Sequence, residues 1–342
     1  MKIERVPLSG FAELEPEWRA LEAAAPALSF FQSWTWVGCL AEERYPDPVL
    51  LRATQDGVVL GLALFNRRGR HLHLTESGDA ALDAPFIEHN APLVTRPDAA
   101  AALLRASWPV LGARRLVLSG VAPELVVQAG GTALRLQERM APRLDLRALR
   151  DAGGDWMAGR SANTRQQVRR SLRAYGMPVL HRAGSVPKAL DWLQALIALH
   201  TASWQARGRP GAFATPFLLR FHQALVAGAL PRGELDLLRI AAEGQDIGYL
   251  YNFRLRGHVS AYQSGFRPGG DDAQRRPGLT SHALAIAHAL ARGDDVYDFL
   301  GGDDRYKRSL SDGACPLHWA QLVPRWSAWG IAARLRARLH HH

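Results

Sequence analysis

The chain has 342 residues, 47% of them apolar, which is long enough for two compact domains and leaves core burial unrestricted. No apolar run reaches the roughly 18 residues of a membrane span, the opening MKIERVPLSG has no signal-peptide apolar core, pointing to a cytoplasmic protein, and Cys39 and Cys315 are too few for a disulfide framework or zinc cluster. The formal charge of +10 favours acidic partners such as nucleotides, acyl carrier protein or tRNA; with only Lys2, Lys188 and Lys307 as lysines, however, 39 of the 42 basic residues are arginine, as a G+C-rich genome also produces.

In chain order, the first recognisable element is a hairpin with a following turn, VLLRATQDGVVLGLALFNRRGRHLHLTESGD, from Val49. It lines up with DLLRIAAEGQDIGYLYNFRLRGHVSAYQSGF, from Asp236, with Gly61 matching Gly248. Each copy is followed by a helix and a short strand, DAAAALLRASWPVLGARRLVLSG in the first and GLTSHALAIAHALARGDDVYDFLGG in the second. This repetition predicts two α/β lobes, at 1–150 and 151–330, with 331–342 as a tail whose His340–His342 are tag-like. The first copy's helix opens on Arg96-Pro97-Asp98, where an Asp repels anions and no glycine lets a phosphate approach, so the first lobe is expected to lack a donor site.

RALRDAGGDW reads as a linker between the lobes. SANTRQQVRRSLRAYG then reads as an amphipathic helix with Val168, Leu172 and Tyr175 on its apolar stripe and Ser161 or Asn163 as cap. Arg165, Arg169 and Arg173 form a column on it, beside Arg170, which suits an anionic neighbour as well as a solvated face. Two further helices place His200, Trp204 and His222 inward, and the intervening GRPGAFATP resembles a cleft-closing loop; these three are acceptor-side candidates, His200 also a candidate base, and equally core residues.

The hairpin IGYLYNFRL–HVSAYQSGF follows, with Val259, Ala261, Gln263 and Gly265 expected on one face and Tyr262 and Ser264 on the other. Gln263 is an amide in an otherwise apolar strand. RPGGDDAQRRPGLTSHALAIAHALARG then restarts as a helix at Pro277-Gly278, where unpaired backbone N–H groups and the positive dipole end, with Arg275 and Arg276 alongside, favour a pyrophosphate. DVYDFL is short and apolar enough for an interior strand yet contains Asp298, and the GGDDRYK turn presents Tyr306 and Lys307.

LHTASWQARGRPGAFATPFLLRFHQAL, AYQSGF, RPGL opening a helix and YDFLGGDDRYKRSL together resemble the GNAT-superfamily N-acyltransferases of the CelD/BcsL type, relatives of the FemAB-like transferases. The resemblance covers roughly Asp155 to Pro324 well and the N-terminal half more loosely. It implies tandem GNAT-like lobes, each a mixed, largely antiparallel sheet flanked by helices. It implies transfer of an acyl group from acyl-CoA or an acyl-carrier-protein thioester, as co-substrate with no tightly bound cofactor, to an amine on a small molecule, amino sugar or peptide. Asp298 would take the amine proton and Tyr306 protonate the thiolate; Gln263, Arg275, Arg276, Gly278, Leu279 and Lys307 would hold the donor. No metal-ligand spacing is present. Two positions depart from the family pattern: Thr280 stands where the donor loop ends in Gly or Ala, and Gly301 where an Arg is common. Two other functions remain open on the same chain, aminoacyl-tRNA-dependent transfer and a non-catalytic pathway scaffold.

Overall fold

The computed structural model describes residues 1–83, 87–302 and 304–339; the tag-like His340–His342 lie outside the described residues. The chain forms two compact units, residues 1–139 with 316–342, and residues 140–315. Strands β1 (Lys2–Val6), β2 (Pro48–Gln55), β3 (Val58–Arg68), β4 (His71–Leu74), β5 (Leu93–Val94) and β6 (Arg115–Val121) lie in the first. Strand β7 (Thr132–Asp145) carries the chain into the second, which holds β8 (Val179–Arg182), β9 (Leu235–Ala242), β10 (Gln245–Leu255), β11 (His258–Phe266) and β12 (Val296–Asp298), and β13 (Gly313–Val323) returns it to the first.

The two units repeat one plan. The first runs β1-β2-β3-β4-β6-β13 and the second β8-β9-β10-β11-β12-β7. In each, every pair is antiparallel except the fourth with the fifth, β4 with β6 and β11 with β12. Even the irregularities repeat. The register skips Leu60 just before Gly61 and Ile247 just before Gly248. A Cβ at Gly61 would sit 2.7 Å from Val94, and one at Gly248 2.8 Å from the Gly265 carbonyl, so close approach of a neighbouring strand demands glycine at both bulges.

Residues 147–156, expected as a linker, belong to the second unit's folded body. Leu146 is buried and opens the helix Leu146–Asp151, capped by the Asp145 carboxylate accepting from the Ala148 N–H. Arg147 and Arg150 then grip Asp295 at 2.6 and 2.7 Å. The polar composition that suggested a linker is thus an ion-paired surface. The returning β13 likewise makes the first unit discontinuous in sequence, because β6 finds its outer partner there, with Leu116 opposite Leu322.

The second unit's core packs the Pro277–Arg292 helix through Leu279, Ala283 and Ile286 against Leu250, Val259, Tyr297 and Phe299. Two polar features are set into it. Buried Asp236 receives Arg182 at 2.6 Å and both Nη atoms of Arg292, which also bonds Asp294. Burial alone would raise the Asp236 carboxyl, but the Arg292 and Arg182 bonds outweigh it and hold the group below the usual carboxylate range. His282 shares a 3.0 Å hydrogen bond with the Tyr297 hydroxyl, and burial, with Lys307 nearby, pushes its imidazole down to about 3.

These groups act on stability in different pH windows. The Asp236 contribution is complete above about pH 4 and is lost as pH falls through its depressed folded value. Asp236→Ala should therefore cost roughly 3 kcal/mol in urea unfolding at neutral pH, and the difference from wild type should shrink in strong acid. His282 titrates in the opposite sense: below about pH 6.5 the unfolded chain gains a proton that the folded chain refuses. Its share of stability falls by about 1.4 kcal/mol per pH unit towards pH 3. His282→Gln should remove that slope between pH 6 and 4.

Candidate active site

The site begins where two parallel strands part. β11 and β12 pair only from His258–Val296 to Ser260–Asp298. Beyond that point β12 follows its other neighbour, the Phe299 N–H donating to the Pro142 carbonyl at 2.9 Å. β11 meanwhile turns away through a bulge, because Gln263 faces Tyr251 and Ala261 faces Asn252, leaving Tyr262 as an extra residue. The expected strict alternation along this strand therefore breaks at Tyr262. Gln263 stands in the resulting fork, half-buried, its carboxamide without a hydrogen-bond partner among the described residues.

The first unit closes its equivalent fork with its own chain. Between β4 and β6, the Asn90 side chain donates to the Leu74 carbonyl and its backbone N–H to the Gly120 carbonyl, at 2.9 and 3.0 Å. Gly120 has φ 62°, and a Cβ there would lie 2.3 Å from the Ile87 carbonyl oxygen, so residues 87–90 are packed into the gap. The following helix opens with the Arg96–Asp98 ion pair at 2.7 Å.

At the fork point Asp298 is fully buried. One carboxylate oxygen accepts the Leu300 N–H at 2.7 Å, and the other lies 3.3 Å from His258 Nε2. Leu300 is held at φ 59°, a left-handed conformation costing a β-carbon residue about 1 kcal/mol. Lys307 donates to the Leu300 and Gly301 carbonyls at 3.4 and 3.2 Å, so it ties down this turn. Tyr306 lies in the helix Arg305–Leu310, stacked on His282 with centroids 5.5 Å apart. Burial, with Asp304 nearby, raises its phenol, which stays protonated at neutral pH and so has a proton to donate. His258 was missed in the sequence; its signal is visible only in the register, which sets it two residues before the partner of Asp298.

The helix Pro277–Arg292 begins beside the end of β11. Gly278 packs on the Phe266 ring, where a Cβ would come within 3.2 Å, and its amide and that of Leu279 precede any i−4 carbonyl of the helix. Leu279 itself points into the core. The arginines are engaged locally. Arg275 donates to the Ala174 carbonyl and stacks over Tyr175, Arg276 donates to the Gln167 side chain, and the Arg276 N–H is capped by Ser171 Oγ at 3.0 Å. Thr280, the departure from the family loop, bonds the same Ser171 hydroxyl at 2.7 Å. The helix Ala162–Ala174 is thereby fastened to the loop. A cavity of about 290 Å³ lies along that loop, lined by Arg267, Gly269, Gly270, Arg275, Asp246 and Tyr175 among others.

His200 is committed on both ring nitrogens. Nδ1 bonds the Ser264 carbonyl at 3.0 Å, and Nε2 accepts from the Ala212 N–H at 3.1 Å. These partners require a neutral ring protonated at Nδ1, in keeping with burial lowering its pKa. His200 thus pins the loop 208–216 to β11 just past the bulge, with the Trp204 ring tilted against it at 5.6 Å. His222 is enclosed by Phe213, Phe221, Tyr251 and Tyr262, with Nδ1 3.3 Å from the Tyr251 hydroxyl. β11 thus runs from Ser260, the partner of Asp298, through Gln263 to Phe266, which packs on Gly278, while His200 and His222 both pack on Phe213. Of the arginine column, Arg165 caps the Ala158 and Arg160 carbonyls, while Arg169, Arg170 and Arg173 are exposed.

Residues 160–308 match the model of a family described as an acetyltransferase (GNAT) domain. No curated protein is matched. Among solved structures, FemX aligns over 93% of this chain and 96% of its own at TM-score 0.61 and 11% identity. L-PGS from Bacillus licheniformis aligns over 95% and 97% at TM-score 0.55 and 13% identity. A conserved protein of unknown function from Bacteroides thetaiotaomicron aligns over 94% and 100% at TM-score 0.57 and 10% identity. At these identities the likeness is one of fold. Residues 160–308 are thus similar to an acetyltransferase (GNAT) domain, within a full-length fold similar to that of FemX.

Proposed function

We propose that the second unit is an N-acyltransferase of the CelD/BcsL kind that takes an acyl group from a CoA or carrier-protein thioester and passes it to an amine. The observation carrying this reading is the parting of β11 from β12 after Ser260–Asp298, beside a bulge in β11 next to Gln263, where the corresponding strands of the first unit are bridged by that unit's own Asn90. A thioester laid in the fork has hydrogen-bond donors beside its carbonyl, where negative charge grows during attack. The amine adds to the carbonyl carbon, the C–S bond breaks as the amide forms, and the thiolate leaves. Asp298, through His258, takes the amine proton, and the Tyr306 phenol supplies one to the thiolate.

Transfer from aminoacyl-tRNA is the second reading, favoured by the FemX-like fold and by exposed Arg169, Arg170 and Arg173 on the Ala162–Ala174 helix. The two separate by salt. Phosphate contacts make tRNA retention on filters fall steeply with ionic strength, whereas a thioester donor is transferred without tRNA.

Intact-mass detection of amide product, with thioesters of increasing acyl length and a panel of amines, tests the leading reading. Gln263→Leu should leave stability within about 0.5 kcal/mol, since the carboxamide bonds nothing among the described residues. It should lower kcat/KM for the thioester about ten-fold, near 1.4 kcal/mol. Unchanged kcat/KM would remove Gln263 from the donor site.

A further inference from the structure

The C-terminal helix Ala328–Leu339 and the turn before it display a face unlike the rest of the described surface. Of the ten tryptophans, only Trp326 and Trp329 are exposed, at 76% and 69%, and Ile331 and Leu335, one turn apart, are open to solvent as well. Other large exposed apolar residues stand singly, such as Val58 and Val127, or in pairs without tryptophan, such as Leu136 with Met140 and Met177 with Val179.

This face is held in place. Ser327 Oγ accepts the Gly330 N–H at 3.1 Å, and the Gly330 site is so close to the Pro324 carbonyl that a Cβ would lie 2.5 Å away. Arg334 bonds the Arg325 carbonyl at 3.2 Å, and its guanidinium sits 4.9 Å from the Trp326 ring centroid, with that of Arg325 at 5.6 Å. The helix sequence AWGIAARLRARL contains three arginines and no acidic residue. Water tolerates such an apolar stripe poorly, whereas the headgroup region of an anionic bilayer accepts tryptophan rings, receives the aliphatic stripe and pairs arginines with lipid phosphates. The helix is not long and apolar enough to cross.

We infer that Trp326 and the helix Ala328–Leu339 form an in-plane anchor that seats this protein on an anionic phospholipid surface. Charge selects this occupant, because the helix sequence brings three positive charges and no negative one to the surface it would meet. The inference stands independently of the acyl-transfer reading.

Flotation of the full chain with vesicles tests it. The chain should float with phosphatidylcholine vesicles containing phosphatidylglycerol and stay behind with phosphatidylcholine alone. Trp326→Ser with Trp329→Ser should weaken vesicle partitioning by about ten-fold or more, with the thermal melt only slightly lowered, because both rings are exposed and Trp326 loses only its surface contacts to Arg325 and Arg334. Leu335→Glu should act in the same direction. Failure of the wild type to float, equal flotation on both vesicle types, or full flotation of both variants would overturn the inference. So would a dimer in solution that the tryptophan variant abolishes while no flotation occurs, which would assign the face to a second copy of the chain.

Discussion

The chemistry proposed for this protein depends on a choice made by three residues of backbone. β12 can pair fully with β11 or with β7, and after Asp298 it goes with β7, through the Phe299 N–H and Pro142 carbonyl. The Tyr262 bulge makes the same separation from the other side by bending β11 away. Beyond Ser260 and Asp298 the two strands share no registered pair among the described residues, and the Ser264 carbonyl is met instead by His200. Asp298 stabilises the parting. Its carboxylate satisfies the Leu300 N–H and holds that residue in a left-handed turn the side chain alone would not choose.

The duplicated plan supplies an internal control. Both units carry the bulge before a strand glycine and the same strand order, so both create a fork. In the first, Asn90 bridges the two strands and the chain from Ile87 packs against Gly120. In the second, no bridge equivalent to that of Asn90 with Val121 is found between β11 and β12 among the described residues. On the proposed reading, function on this architecture would reside in the site rather than in the fold itself.

Much of the fold was legible because it rests on local signals. The paired Gly61 and Gly248, the Arg256-Gly257 turn with both residues at positive φ, and the Ser161 cap are short-range chemistry that sequence displays directly. What stayed hidden depends on register and long-range pairing. The bulge at Tyr262 cannot be seen in alternating residues, and the His258–Asp298 contact needs β11 and β12 aligned. Arg275 and Arg276 looked like phosphate ligands because their charge beside a helix start is visible, whereas the Ala174 carbonyl and Gln167 that engage them lie about a hundred residues away. RALRDAGGDW looked like a linker for the same reason, since Asp295 is equally remote.

Hydrogen–deuterium exchange mass spectrometry of the full chain, with and without acyl-CoA, asks most directly whether the open fork is the donor site. Added donor should slow exchange in peptides spanning 261–266 and 277–280 while leaving those spanning 71–75 and 87–98 unchanged. Slowed exchange confined to the first unit, or none around Gln263 and Gly278 at saturating donor, would contradict the account.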